Sequence, residues 1–401
     1  MATVAILGTL DSKAEEHAFV AEQIRGRRHE VVLIDVGTGG EPQIEPDFSR
    51  YDVAAATGLD LKPLLDRHDR GECVTAMSEA APVFLTRLAK GKKIDGVISL
   101  GGGGGTAIGT AAMRALPIGF PKLMVSTMAS GNIAHYVGAK DIVMIPSIVD
   151  VNGLNRISRV VFTRAAGAIC GMIEQNVNEG AGKPLVVASM FGNTTTCVNI
   201  AREVLEESGY EVLVFHATGS GGQAMESLIE SGMVSGVLDV TTTEWADEVV
   251  GGTLTAGPDR LDAMTTAHVP AVVAPGCVDM VNFGAPESVP EHFEGRNFYM
   301  HNPQVTLMRT NADECARIGQ VIAKKANANE APVVIFNPLK AVSEINAEGK
   351  AFYDPEADKA LFSAIREHAK IEVIDMDETI NSPAFARACA ERLLQLMERS
   401  D

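Results

Sequence analysis

Short apolar runs alternate with stretches in which apolar residues recur every three or four positions, almost from end to end of the chain. "TVAILGT" predicts a buried strand, and "SKAEEHAFVAEQIRG" an amphipathic helix. "EVVLIDV" is a second strand, followed by a Gly/Pro-rich loop at 37–50 and a long helical region through 59–91. "DGVISLG" and "PKLMVST" are further strands, with a glycine run and a helix between them. "DIVMIPS" is another, and "GLNRISRVVFTRAAGAICGMIEQNV" a long closing helix. At "NEGAGKP" (178–184) the pattern breaks, and a second series begins: "PLVVASM", "EVLVFHAT", "SGVLDVT", "PAVVAPG", "APVVIFN" and "IEVIDMD". Strands separated by helices imply parallel pairing through right-handed crossovers. The expected architecture is α/β: two Rossmann-like three-layer domains, 1–181 and 182–401, with mainly parallel sheets and an inter-domain cleft. Ligands of such sheets sit at the carboxyl ends of the strands.

Composition narrows the function. The chain has 401 residues, 46% hydrophobic with few aromatics, which suits small-residue helix–sheet packing. Its net charge of −18 speaks against general nucleic-acid or anionic-membrane binding, since both need clustered Lys and Arg. The cysteines, at 73, 170, 197, 277, 315 and 389, form no CxxC pair and read as reduced thiols. "MATVAILGTLDSK" lacks a basic leader, and no apolar stretch reaches membrane-spanning length, so the expectation is a cytoplasmic protein.

The stretch "ISLGGGGGTAIG" raises the sharpest question. Five consecutive glycines are entropically costly unless something uses the bare backbone. Between a strand and a helix, Gly101, Gly102, Gly103, Gly104 and Gly105 would turn main-chain N–H groups toward an anion, with Thr106 capping the helix or touching a phosphate. The arrangement is similar to the GGDGT loop of NAD kinases and phosphofructokinases, with glycine in place of the acidic residue. A crowded turn is the plainer alternative. "GTLDSK" places Thr9, Asp11 and Lys13 after the first strand, where Lys13 can neutralise a phosphate and Asp11 can cap a helix. In "STMASGN", Ser130 and Gly131 could face a phosphate or sugar, or form an ordinary cap.

In the second series, "HATGSGGQAM" offers Thr218, Gly219, Gly221 and Gly222 as another anion-facing turn. Its GxGxxA spacing, with Asp239 ending the next strand, keeps a nicotinamide nucleotide as an alternative. "FGNTTTC" opens a helix with Thr194–Thr196 in the equivalent place to "STMASGN". Candidate acid/base groups are His216 at a strand end, Glu244 after three threonines, and Asp279 and His301 in stretches read as irregular loops (274–284 and 301–310). Arg309 would clamp a carboxylate. Cys277 could act as a nucleophile; the plainer alternatives are a satisfied histidine at 216, a capped helix at 244 and a buried inert thiol at 277. No set stands at metal-ligand spacing.

Taken in order, "GTLDSK", "SLGGGGGT", "STMASGN", "HATGSGGQAME", "DVTTTEWADE", "PGCVDMVNFG" and "HNPQVTLMRT" resemble the Tm-one-like ATP-binding family, which includes the N-terminal domain of the tomato mosaic virus resistance protein and bacterial relatives. The resemblance covers essentially the whole chain. It implies two Rossmann-like subdomains, ATP binding and self-association as a homo-oligomer. A phosphoenolpyruvate hydrolase-like barrel follows in the plant protein, so a separate barrel partner is expected here. ATP with Mg2+ would then lie on Gly101–Thr106 and Thr9–Lys13, completed by Ser130 or the 216–222 turn. An enzyme acting on a small acidic or phosphorylated metabolite is the alternative expectation.

Overall fold

The computed structural model describes residues 1–175 and 182–398, so most of the 178–184 break lies outside the described residues. The chain divides into two compact units, Met1–Asn178 and Glu179–Asp401.

In the first unit, β1 (Thr3–Gly8), β2 (Glu30–Asp35), β3 (Gly96–Gly101), β4 (Lys122–Ser126) and β5 (Val143–Pro146) form one sheet in the order β2-β1-β3-β4-β5. Every pairing is parallel. Alternation along β1 sends Val4 and Ile6 to one face, where they pack with Val20, Ile24, Phe162 and Ile169. Those partners belong to helices Ala14–Gly26 and Arg156–Glu174. Ala5 and Leu7 go to the other face, with Met77, Leu85, Ile108 and Met113 of helices Arg70–Lys90 and Gly103–Arg114. Three layers result, and the strand order reverses between β1 and β3. That reversal is the switch point where doubly wound sheets bind ligands.

The second unit repeats the plan. β6 (Leu185–Met190), β7 (Glu211–His216), β8 (Val234–Asp239) and β9 (Ala271–Val273) belong to a second parallel sheet. Its six-stranded order is β14-β13-β9-β8-β6-β7 once β13 (Val333–Pro338) and β14 (Glu372–Met376) are added. Val186, Ala188, Leu238 and Val334 pack under helices Thr195–Glu207 and Pro383–Met397.

The stretches expected as irregular loops are instead a small antiparallel sheet, β10 (Met280–Phe283), β11 (Phe298–Asn302) and β12 (Val305–Arg309), in the order β10-β12-β11. Buried Met280, Val281, Leu307 and Met308 hold it down, whereas β11 is exposed along its length. The helical region at 59–91 is also broken. Helix Lys62–Asp66 stops, His68 takes a left-handed φ of 55°, and helix Arg70–Lys90 restarts on an Asp69 cap. Among the described residues no helix is long and apolar enough to cross a membrane.

Candidate anion-binding site at the rim of the first sheet

The carboxyl ends of β1, β2 and β3 open on a cavity of about 570 Å³ lined by Thr9, Asp11, Lys13, Gly102, Gly104 and Gly105, among others. Two of the motifs singled out above therefore meet at the switch point. After β1 the chain turns sharply: Thr9 O accepts from Ser12 N (3.1 Å) and Lys13 N (2.9 Å), and helix Ala14–Gly26 starts at once. Beside it runs the loop after β2, which adds Thr38, Gly39 and Gly40 to the lining. Gly39 N donates to Asp11 Oδ2 (2.7 Å). Beneath, buried Asp35 accepts from Leu10 N (3.1 Å), Gly37 N (2.9 Å) and Arg50 Nε (3.0 Å), and Arg50 reaches Gly40 O (2.6 Å). The Asp35–Arg50 pair thus ties both loops to one support.

The glycine run turns from β3 into helix Gly103–Arg114, with Gly102 as its cap. Gly101 is required by packing, because an added Cβ would stand 2.9 Å from Gly105 Cα. At Gly103 such an atom would meet nothing within 4 Å, and at Gly104 only Val74 (3.4 Å) and Arg70 (3.5 Å) side-chain atoms. Packing does not explain glycine at 103. Among the described residues, no acceptor is found for the N–H groups of Gly102, Gly103, Gly104 and Gly105. These are the orphan donors at the positive end of a helix dipole.

Lys13 and Arg70 bring positive charge to the same cavity. Among the described residues, neither side chain has a hydrogen-bonding or ion-pair partner. The helix break at 67–69 is what delivers Arg70 and His68 to the wall. Asp150 also lines it. Thr38–Gly40, His68, Arg70 and Asp150 were not singled out by sequence. The Gly-Gly pair after β2 was the available signal for the first, whereas the others meet the site only through the fold.

Other first-unit expectations are corrected. Thr106 faces inward: its hydroxyl shares a 2.6 Å hydrogen bond with Ser126 Oγ, and the residue is fully buried. Gly101 is buried too, and Gly103 is exposed beside the cavity rather than lining it. Ser130 lines an adjoining cavity, and exposed Gly131 lines neither.

The second glycine-rich turn is already filled. Glu244 Oε1 accepts from Gly219 N (2.7 Å) and Gly222 N (3.1 Å). Its Oε2 accepts from Arg260 Nε (2.7 Å). Arg260, fully enclosed, also binds Asp239 through Nη1 (2.5 Å) and Nη2 (2.8 Å), and Glu226 through Nη1 (2.9 Å). Burial pushes the Glu244 and Glu226 carboxyls up while Arg260 pulls them back. Burial would depress Arg260, but its three carboxylates hold it well above the ordinary range. Here packing accounts for the glycines: Gly219 has φ 81°, a Cβ at Gly221 would clash with His216 O, and one at Gly222 with the Glu244 carboxylate. The turn formed by Gly219, Gly221 and Gly222 is therefore no open phosphate cradle, Glu244 no solvent-facing acid or base, and Asp239 no free ribose acceptor. Thr218 spends its hydroxyl on His216 O (3.2 Å). Thr194 likewise turns inward, sharing 2.8 Å with Thr241 Oγ1.

Of the remaining catalytic candidates, two are buried and two are exposed. Asp279 is buried, accepts from Ser343 Oγ (2.7 Å), and is pushed up to about 6 by burial against the pull of Arg309. Arg309 is buried as well, donating to Asp358 Oδ1 (2.6 Å), Phe352 O (2.8 Å) and Thr310 Oγ1 (2.9 Å), so it clamps the protein's own groups. His216 is exposed with its ring 5.3 Å from Phe191, and His301 is exposed on β11. Cys277 is enclosed, and burial raises its thiol far above the ordinary range.

Comparison with known proteins decides the family. Residues 2–178 match the Uncharacterised protein family (UPF0261) N-terminal domain, and residues 183–397 its C-terminal domain. The chain belongs to the UPF0261 family. A UPF0261 protein of Clostridium tetani is 50% identical over 400 residues, covering 99% of each chain. One of Rhizobium meliloti is 45% identical over 394 residues, 97% of each. The ToMV resistance protein Tm-1 of Solanum lycopersicum is 38% identical over 421 residues, 98% of this chain and 56% of that protein. That relation agrees with the family resemblance read from the motifs; ATP binding is a separate matter.

Proposed function

We propose that the first unit of this UPF0261 protein binds a phosphorylated small molecule, with ATP the first ligand to test. The observation that carries the reading is the set of four consecutive amides, Gly102–Gly105, without acceptors, beside a cavity that Lys13 and Arg70 also line. Amides at a helix N-terminus and unpaired cations are the two ingredients of phosphate recognition. In a chain of net charge −18, leaving two cations without acidic partners at one cavity is otherwise unexplained.

Mg2+ would ride on the phosphates, as it does in most nucleotide sites. Among the described residues, no group of three or more His, Cys, Asp or Glu side chains is placed to hold an ion. Asp11 lines the cavity and can offer an oxygen. Asp11 already accepts from Gly39 N and Ser12 Oγ.

Calorimetric titration of the full chain with ATP, with and without magnesium, tests the reading. Saturable binding that Lys13→Ala weakens by about tenfold or more, the worth of one charge-assisted contact, is expected. No heat at millimolar nucleotide in either condition would remove it.

A further inference from the structure

Next to the cationic cavity lies a second one of about 320 Å³, at the carboxyl ends of β4 and β5. Its walls include Ser126, Thr127, Ser130, Ser147, Ile148 and Asp150. Asp150 belongs to both cavities. Thr127 stands at their junction: its Oγ1 would be 3.7 Å from a Cβ on Gly102, and its N–H donates to Gly101 O (3.2 Å).

The hydroxyls divide into two groups. Ser126 Oγ is committed to Thr106 and accepts from Met128 N (2.9 Å), and Ser147 Oγ donates to Val149 O (2.6 Å). Thr127, Ser130 and Asp150 have no side-chain partner among the described residues. Two free hydroxyls and a free carboxylate thus face one space. No lysine or arginine lines it, so the carboxylate would repel a phosphate placed there. What suits a lone carboxylate beside hydroxyls is a neutral group rich in O–H donors. The wall is also strained: Ile148, β-branched, holds φ 66°, a conformation such residues rarely keep without a compensating role.

We propose that this second cavity receives the vicinal hydroxyls of the phosphorylated ligand, with the Asp150 carboxylate accepting from the diol and Thr127 and Ser130 completing the contacts. The inference rests on the phosphate reading above and adds the ligand class: a ribosyl or other sugar phosphate, free or within a nucleotide. The two cavities share Asp150 and adjoin where β3 meets β4, neighbouring strands about 5 Å apart, so a phosphate in one and the hydroxyls of the same sugar in the other can be spanned.

The test compares inorganic phosphate with ribose 5-phosphate, and ATP with 2′,3′-dideoxy-ATP, on the full chain. Wild type should prefer ribose 5-phosphate over phosphate, or ATP over its dideoxy analogue, by about tenfold or more, the value of a hydrogen bond to a charged group. The first preference points to a free sugar phosphate, the second to a nucleotide. Asp150→Ala should abolish the preference while leaving phosphate affinity unchanged or tighter, and Asp150→Asn should lose most of it. The inference is overturned if Asp150→Ala leaves the preference intact, or if its effect appears only with magnesium, which would make the carboxylate an ion ligand. Phosphate binding that Lys13→Ala weakens, with no sugar preference, sinks this inference alone. No binding of any probe sinks the phosphate reading as well.

Discussion

Glu244 holds Gly219 by a 2.7 Å hydrogen bond from the glycine's N–H to Oε1. The second unit thereby fills with its own carboxylate the kind of amide-lined turn that the first unit leaves open. An amide-lined helix start serves structure in one sheet, whereas in the other its N–H groups have no acceptor among the described residues.

Removing that carboxylate should open the site at a price in stability. Glu244→Ala strands Arg260 with one fewer partner and leaves the Gly219 and Gly222 amides bare. A loss of about 3 kcal/mol is expected from breaking a buried pair on one side, read by denaturant unfolding. High formate should restore part of the loss in the variant and none in wild type, because the small anion fits the vacated amides. A variant as stable as wild type would mean that the carboxylate contributes little there.

The glycine run separates folding from binding. Gly101→Ala places a Cβ 2.9 Å from Gly105 Cα and should destabilise by about 1–3 kcal/mol. Gly103→Ala meets nothing within 4 Å and should leave stability unchanged or raise it by up to about 1 kcal/mol. It should nevertheless weaken phosphate binding, because the methyl crowds the approach to its own acceptor-free N–H beside the cavity. Thermal melts with and without pyrophosphate distinguish the two variants. Equal melting shifts and equal ligand response in both would contradict the assignment.

Buried carboxyls shape the pH dependence. Asp247 is pushed from its ordinary 3.8 up to about 7 by burial, although Asn282 N (2.9 Å) and Asn282 Nδ2 (2.7 Å) donate to it. Its folded value exceeds the unfolded one, so between these limits the native state binds more protons and this group's contribution falls as pH rises. Asp247→Asn should therefore gain stability relative to wild type from about pH 4 to about pH 7, then level off. His17 acts the other way: burial lowers its pKa, so stability is lost as pH falls below its ordinary 6.5. Paired unfolding curves across this range check the sign, and a flat difference would show that Asp247 ionises in the native state as it does in the unfolded chain.

Most of the strand pattern could be read from the chain, because a parallel strand buried on both faces is a continuous apolar run such as "PLVVASM". β10 to β12 could not. They are short, set among Pro, Gly and Asn, and β11 buries nothing, so no run or alternation marks them. The glycine run and Lys13 were visible as candidate anion contacts because the run is unusual and strand ends are where ligands bind. Arg70 was not, since only the break at His68 turns it toward the cavity. Glu244 was visible as a carboxylate after a strand, but its role depends on Arg260, which nothing local to either residue reveals.

The most direct test watches the amides themselves. The full chain labelled with 15N-glycine is titrated with pyrophosphate, and backbone resonances are assigned by single glycine substitutions. Saturable shifts at Gly102, Gly104 and Gly105, with Gly219 and Gly222 unmoved, are the predicted result. Static resonances at 102–105, or movement at 219 and 222 instead, would contradict it.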